Sequence, residues 1–388
     1  MRVTLLTLAD MMTAWRQIAT GTDHFLVGFI QLRAVACPAS IAPMPSVAAV
    51  RPTEIFSASE WQALTRVSRW RGMALIAHGW ISVALIIAAA LWVGHWLAFI
   101  PAIFLLGGRQ LGLAILMHDA AHGCTHPNRR LNNFAGEWLT GAAVGSDLQS
   151  YRAYHLTHHR YTQQPEDPDL GLSKPFPTTA ASLWRKVLRD MTGQTFFKQR
   201  FAQFGIAIIG LKAMLRGEGG DKAEKKDATA GTPFNRQGAA GINGPAEASA
   251  AGAIAVTKTV GRFLLMQAIL LALSLVLWGW TPFLLWLAAL ATTFQLALRI
   301  RNIAEHACTT TGSADPFTHA RTTLASWTER ALVAPYYVNY HAEHHLFMGV
   351  PCYNLPRVHQ LLIDRGYGTR MTLADSYAQV MRRVVTAG

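Results

Sequence analysis

The stretch Leu97-AFIPAIFLLGGRQLGLAIL-Met117 runs without a break into His118-Asp-Ala-Ala-His122. A hydrocarbon core is crossed by about 20 mostly apolar residues in a helix, so Leu97–Met117 is long enough to span one. The histidines that follow continue the same helical register. They are four apart and therefore share a face. A membrane span that ends in a pair of metal-capable side chains is the first element of the fold.

Three further spans are expected: Met73–Val93 just upstream, then Phe263–Trp280 and Phe283–Leu298, so that the four form two hairpins. The turns, Gly94-His95-Trp96 and Thr281-Pro282, carry no Lys or Arg. Arg66, Arg69, Arg71, Arg129, Arg130, Arg262, Arg299 and Arg301 flank the other ends. By the positive-inside tendency, both termini and the region between the hairpins are expected in the cytoplasm, at the inner membrane if the source is bacterial. Composition agrees: 51% of the 388 residues are hydrophobic and 15% are charged, against about 25% in soluble domains. The net charge of +13 flanks apolar runs and forms no separate basic domain, which favours anionic lipid over nucleic acid as partner. The four cysteines form no CxxC pair and predict neither a zinc module nor a disulfide framework.

Residues 1–43 read as an N-terminal extension, with Met44 expected as the native start. Ser57-Ala-Ser-Glu60 has the pattern of a capping box. Phe197–Met214 fits an interfacial helix, and 217–257, rich in Gly, Ala, Lys and Glu, reads as a flexible insert within a single domain over 44–388.

Nine of the 15 histidines fall in three clusters and a singlet: His118 and His122; His155, His158 and His159; His341, His344 and His345; and His306, with Asn302 one helical turn before it. Spacings of three and four turn each cluster to one side of a helix. Box one continues the second span and His306 follows the fourth, so all four elements can meet just under the bilayer. Imidazole suits zinc, copper, iron or nickel. Nine ligands exceed what one zinc requires and suit two metals with positions left open. His24, His78, His95, His319 and His359 are isolated and carry no metal expectation, while His126 could extend the face of box one. Asp119 and Glu343, inside the boxes, are the first candidates to hold ligating imidazoles by their second nitrogen, followed by Asp167, Asp169 and Glu305. Arg109, within a span, requires a polar partner; a headgroup or a buried carboxylate is expected.

The order HxxxH, HxxHH, HxxHH, with spans between the boxes, resembles the membrane fatty acid desaturase superfamily from about Arg71 to the C-terminal region. Tyr151 before box two and Asn339-Tyr340 before box three fit the same context. The resemblance implies an all-α integral membrane protein, with four transmembrane helices and a cytoplasmic helical cap around a dimetal site. It also implies two iron ions on His118, His122, His155, His158, His159, His306, His341, His344 and His345, with Asn302 acting through water. O2 would be co-substrate, and a long acyl chain would be desaturated. Box three starts with His341 and not Gln, and no HPGG haem motif is present, so electrons would come from a separate donor of ferredoxin or cytochrome b5 type. A hydroxylase or ketolase acting on a sphingolipid, carotenoid or alkane shares the boxes. A metal transporter is the remaining alternative, but its ligands belong near the middle of the spans.

Overall fold

A computed structural model describes residues 47–218 and 250–386. The expected extension over 1–43 and most of the expected insert lie outside these residues. Ser57 caps helix α1 (Ala58–Thr65) through the full reciprocal capping box. Helix α2 (Arg71–Val93) ends on left-handed Gly94, and α3 (Phe99–Ala121) follows a single 3-10 turn at Trp96–Ala98. Helix α4 is Leu148–Tyr161, α5 is Ala180–Met191, and α6 is Gln194–Leu215. Helix α7 is Ala250–Trp278, while α8 (Thr281–Ala291) and α9 (Thr293–His306) are divided at Thr292. Then come α10 (Trp327–Leu332), α11 (His341–Leu346) and α12 (Leu355–Asp364).

Four stretches are long and apolar enough to cross a membrane: Arg71–Val93, Trp96–Ala121, Ala250–Trp278 and Thr281–His306. All four expected spans are present. The third starts well before Phe263, because Ala253, Val256 and Val260 are buried and the last two pack against Ala207 of α6. An Ala- and Gly-rich run that looks like linker in one dimension is here the close-packing face of a helix. The expectation of purely helical structure also needs amending. Two short parallel strand pairs occur, Thr178–Thr179 with Val385–Thr386 and Arg321–Thr323 with Thr372–Ala374. Strands of two or three residues are too short to leave a periodic signal.

Polar side chains fasten the apolar helices to one another. Gln110 on α3 donates to the carbonyl of Trp286 on α8 at 2.8 Å. The Trp286 indole donates to Gln267 on α7 at 3.0 Å, and Gln267 donates in turn to the Ala143 carbonyl at 3.0 Å. Trp80 on α2 stacks on Trp286 at 5.7 Å. Within a bilayer such bonds and close packing replace the hydrophobic drive. Arg109 meets no carboxylate among the described residues: it donates to the carbonyls of Ala331 and Arg330 at 2.8 and 3.3 Å, capping the C-terminal end of α10. Unpaired helix-terminal carbonyls are natural partners for a cation.

Helix α3 packs tightly against α9 at Gly107. A Cβ there would lie 2.3 Å from Thr293 Oγ1 and 2.8 Å from the Phe294 nitrogen. Gly107→Ala is expected to force the two helices apart at a cost of about 1–3 kcal/mol or more. Thermal unfolding in detergent checks this, with Gly205→Ala, which lies inside α6 and meets nothing within 4 Å, as the control that does not lower the midpoint.

Candidate metal centre

Box one sits at the C-terminal end of α3, with His118 in its last turn and His122 as the residue that closes it; left-handed Gly123 then turns the chain away. Box two lies on α4, which Asp147 caps by accepting from the Ser150 nitrogen at 2.8 Å. Box three forms α11, and His306 is the final residue of α9. The nine imidazoles converge as two groups. His118, His122, His155, His159 and His344 form one, and His158, His306, His341 and His345 the other; within each, one nitrogen per residue lies within 4.8 Å of all the rest. Each group could hold a metal ion.

Nitrogen separations support that fit. His159 Nε2 lies 2.9 Å from His155 Nε2 and 3.0 Å from His344 Nε2. His341 Nε2 lies 2.9 Å from His306 Nε2 and 3.1 Å from His345 Nε2, and His158 Nε2 is 3.2 Å from His306 Nε2. Two ligands bound at about 2.1 Å and at right angles stand ~3.0 Å apart, whereas tetrahedral ligands stand ~3.4 Å apart. The separations thus suit five- or six-coordination better than a closed tetrahedral zinc. Buried Nε2 atoms of His118 and His122 have no hydrogen-bond partner among the described residues, an arrangement that a bound cation would satisfy.

Protonation favours the same reading. Burial, followed by neighbouring imidazoles, pushes His155, His159, His341, His344 and His345 well below the usual histidine range. Burial and then Arg152 take His122 down to about 3. Metals bind neutral imidazole. Burial acts on His158 too, but Asp167, Asp169 and Glu305 outweigh it and lift the ring to about 9. A metal at Nε2 would take the place of that extra proton.

Outer nitrogens distinguish the groups. In the second, His158 Nδ1 lies 2.7 Å from Asp167 Oδ1, and His306 Nδ1 donates to the His319 carbonyl at 3.0 Å. His345 Nδ1 lies 3.2 Å from Thr162 Oγ1, and His341 Nδ1 3.4 Å from Glu305 Oε1. Such contacts fix the tautomer that leaves Nε2 free. Among the described residues, no hydrogen-bond partner meets Nδ1 in the first group; aromatic packing orients those rings, as with His118 against His155 at 4.5 Å and Tyr151 against His155 at 5.1 Å.

Asp119 and Glu343 do not take the places expected of them. Asp119 accepts from the Cys352 backbone nitrogen at 3.3 Å, and Glu343 binds His359 at 2.6 Å and the Thr322 hydroxyl. Adjacent helix positions point in different directions, so a carboxylate next to a ligand in sequence faces away from it. Asp167 and Glu305 reach the imidazoles from neighbouring segments instead. His126 accepts from the Asn128 nitrogen at 3.0 Å and stays outside both groups. Sequence reasoning set His319 aside; its backbone carbonyl, which no side-chain pattern could reveal, orients His306.

A cleft beside the histidines is walled on one side by Leu111, Ala114, Ile115 and Met117 of α3, with Leu298 of α9, and reaches His118 and Asn302. Asn302 Oδ1 accepts from Arg301 at 3.3 Å.

The family model described as fatty acid desaturase matches residues 94–375, which include all nine histidines. The chain belongs to the fatty acid desaturase family. Among curated relatives, the fatty acid desaturase chain is 25% identical over 311 residues to the dihydrorhizobitoxine desaturase of Bradyrhizobium elkanii, covering 76% of each. It is 37% identical over 67 residues to a beta-carotene ketolase of Paracoccus sp. (strain PC1), and 29% identical over 101 residues to a chloroplastic omega-3 fatty acid desaturase of Glycine max. Those two matches take in 17% and 26% of the chain, and span only 28% and 22% of the relatives' own lengths.

Proposed function

We propose that the chain carries out O2-dependent desaturation of a long acyl chain at a pair of irons held by the two histidine groups. The observation that carries this reading is the convergence of nine neutral or metal-ready imidazoles, as five and four, at the end of a cleft with an apolar wall. Bound there, two irons would supply the oxidising power to take two hydrogens from adjacent carbons, O2 and two electrons with two protons leaving as water. The residues of α3 and α9 that wall the cleft would lay the hydrocarbon against His118. Asp167, Glu305, Thr162 and the His319 carbonyl would hold the second group in one tautomer through the reaction. Asn302 would act through a water, and electrons would come from a separate ferredoxin- or cytochrome b5-type protein.

In this reading the catalytic domain is 44–388, the four spans pair as two hairpins, and the histidine elements form a cap on the cytoplasmic side with both termini. Basic residues at the outer span ends support that orientation. A ketolase or hydroxylase outcome is the second reading. It is favoured by the similarity to the beta-carotene ketolase and to a zeaxanthin 4-ketolase of Chlamydomonas reinhardtii, and by the polar residues Ser146, Tyr151 and Tyr154 in the cleft.

Lipid mass spectrometry after expression in a host without this activity tests the proposal, beside a His344→Ala control. Acyl species two hydrogens lighter, absent in the control, are expected. Species one oxygen heavier would assign a hydroxylase, and oxidised carotenoids with unchanged acyl chains a ketolase.

A further inference from the structure

Helix α5 follows the strand Thr178–Thr179 and presents two unlike faces. On the inner face, Leu183 packs against the main core, and Asp190 is fully buried in a salt bridge with Arg299 of α9. Arg299 is seven residues before His306, so α5 is pinned close to the metal-bearing end of α9. The outer face carries Ser182, Arg185, Lys186 and Arg189, spaced i, i+3, i+4 and i+7, one stripe of a helix. Together with Leu188 and Gln194 they line a cleft. Every polar side chain in that lining is able to donate a hydrogen bond, and none is a carboxylate. Among the described residues no carboxylate forms an ion pair with Arg185, Lys186 or Arg189, since Asp190 is taken by Arg299. Lys186 Nζ rests on Ser182 Oγ at 2.7 Å. Partial burial, and then the charges of Arg299, Arg189 and Arg185, push its ammonium below the usual range. Such crowding of like charge is relieved by an anion.

Leu188, which lines the cleft, and Trp184, about 100° round the helix from Arg185, are exposed, as are Phe197 and Phe201 at the start of α6. In a chain with four membrane spans, exposed aromatic residues on the helices that carry cations without a carboxylate partner belong at the level of the headgroups.

We propose that the cleft between Ser182 and Gln194 binds the phosphate of an anionic phospholipid at the membrane surface. Arg185 and Arg189 would take the phosphate oxygens through their guanidinium forks, with Lys186 as a point charge. Trp184 and Leu188 would meet the first carbons of the acyl chains. Charge complementarity selects an anionic headgroup, and the neighbouring apolar band selects a lipid over a free anion.

Native mass spectrometry of the purified full-length chain, titrated separately with phosphatidylglycerol, phosphatidylcholine and inorganic phosphate, tests this without any turnover and so stands apart from the reading of the metal centre. One saturable phosphatidylglycerol is expected, with phosphatidylcholine bound far more weakly and millimolar phosphate unable to displace the lipid. Replacing all three cations (R185Q/K186Q/R189Q) should weaken phosphatidylglycerol by about a hundredfold. The charge-conserving pair R185K/R189K, which keeps three cations but loses the guanidinium forks, should fall between wild type and the triple variant, which separates lost charge from lost folding. Equal retention of both lipids, or unchanged binding in the triple variant, would overturn the proposal. Displacement by phosphate alone would reduce the site to an anion site, and loss of an acidic redox protein with lipid binding intact would make the face a protein-docking surface.

Discussion

His159→Ala and His341→Ala are each expected to abolish turnover and to remove one metal, not two. His159 lies within 3.0 Å of both His155 and His344, at the heart of the five-membered group. His341 lies 2.9 Å from His306 and 3.1 Å from His345 in the other. If the proposed irons sit in separate shells, iron per chain should fall from two to about one in either variant, while activity should fall by at least about a thousandfold because the proposed reaction would need both metals. Elemental analysis beside the lipid assay checks this. Loss of both irons from either single variant would mean that the nine histidines act as one cooperative shell.

Asp167→Asn is the second large effect. The carboxylate accepts from the Gln163 and Asp169 nitrogens at 2.8 Å each, and faces His158 Nδ1 at 2.7 Å. Burial alone would raise its pKa, but His158 and these backbone donors outweigh burial and hold it below the usual carboxylate range. Asparagine keeps the shape and removes the charge. It can also offer its amide N–H to His158, selecting the wrong tautomer. Metal affinity or activity should drop by about 10–100-fold, the usual range for such outer contacts. The turn also loses one acceptor, because the two carboxylate oxygens accept from different nitrogens and asparagine keeps only one oxygen, so about 1–3 kcal/mol of stability should go with it while the fold persists. Metal titration of the variant against wild type, beside thermal unfolding, checks both halves. Unaltered metal affinity would show that the carboxylate only shapes the turn.

These two cases show what was legible in the sequence. Spans and boxes are written in local periodicity, which a single helix expresses without reference to the rest of the chain. The histidines therefore converge where spacing placed them, and Ser57 and Glu60 close their box as expected. The surrounding contacts are not local. Glu305 adjoins His306 in sequence but reaches His341 in space, while Asp119, beside His118, turns to Cys352. Arg109 caps a helix more than 200 residues away, through carbonyls that any sequence provides. No pattern along one dimension distinguishes these from solvent-facing charges.

Two of the four membrane-length stretches, Trp96–Ala121 and Thr281–His306, carry histidines of the two groups in or just past their last turn, while the other two, of 23 and 29 residues, carry none. Beyond the 3-10 turn at Trp96–Ala98 and the break at Thr292, α3 and α9 each run unbroken to those histidines, so at about 1.5 Å and 100° per residue their register fixes the height and direction of each imidazole. Inserting one residue in either would turn its histidine by about 100° and lift it about 1.5 Å, more than a metal–ligand bond tolerates. Their partners, with no ligand to place, can vary in length. In these two helices the register is itself part of the active site: side chains can be exchanged for others of similar bulk, but residues cannot be added or removed.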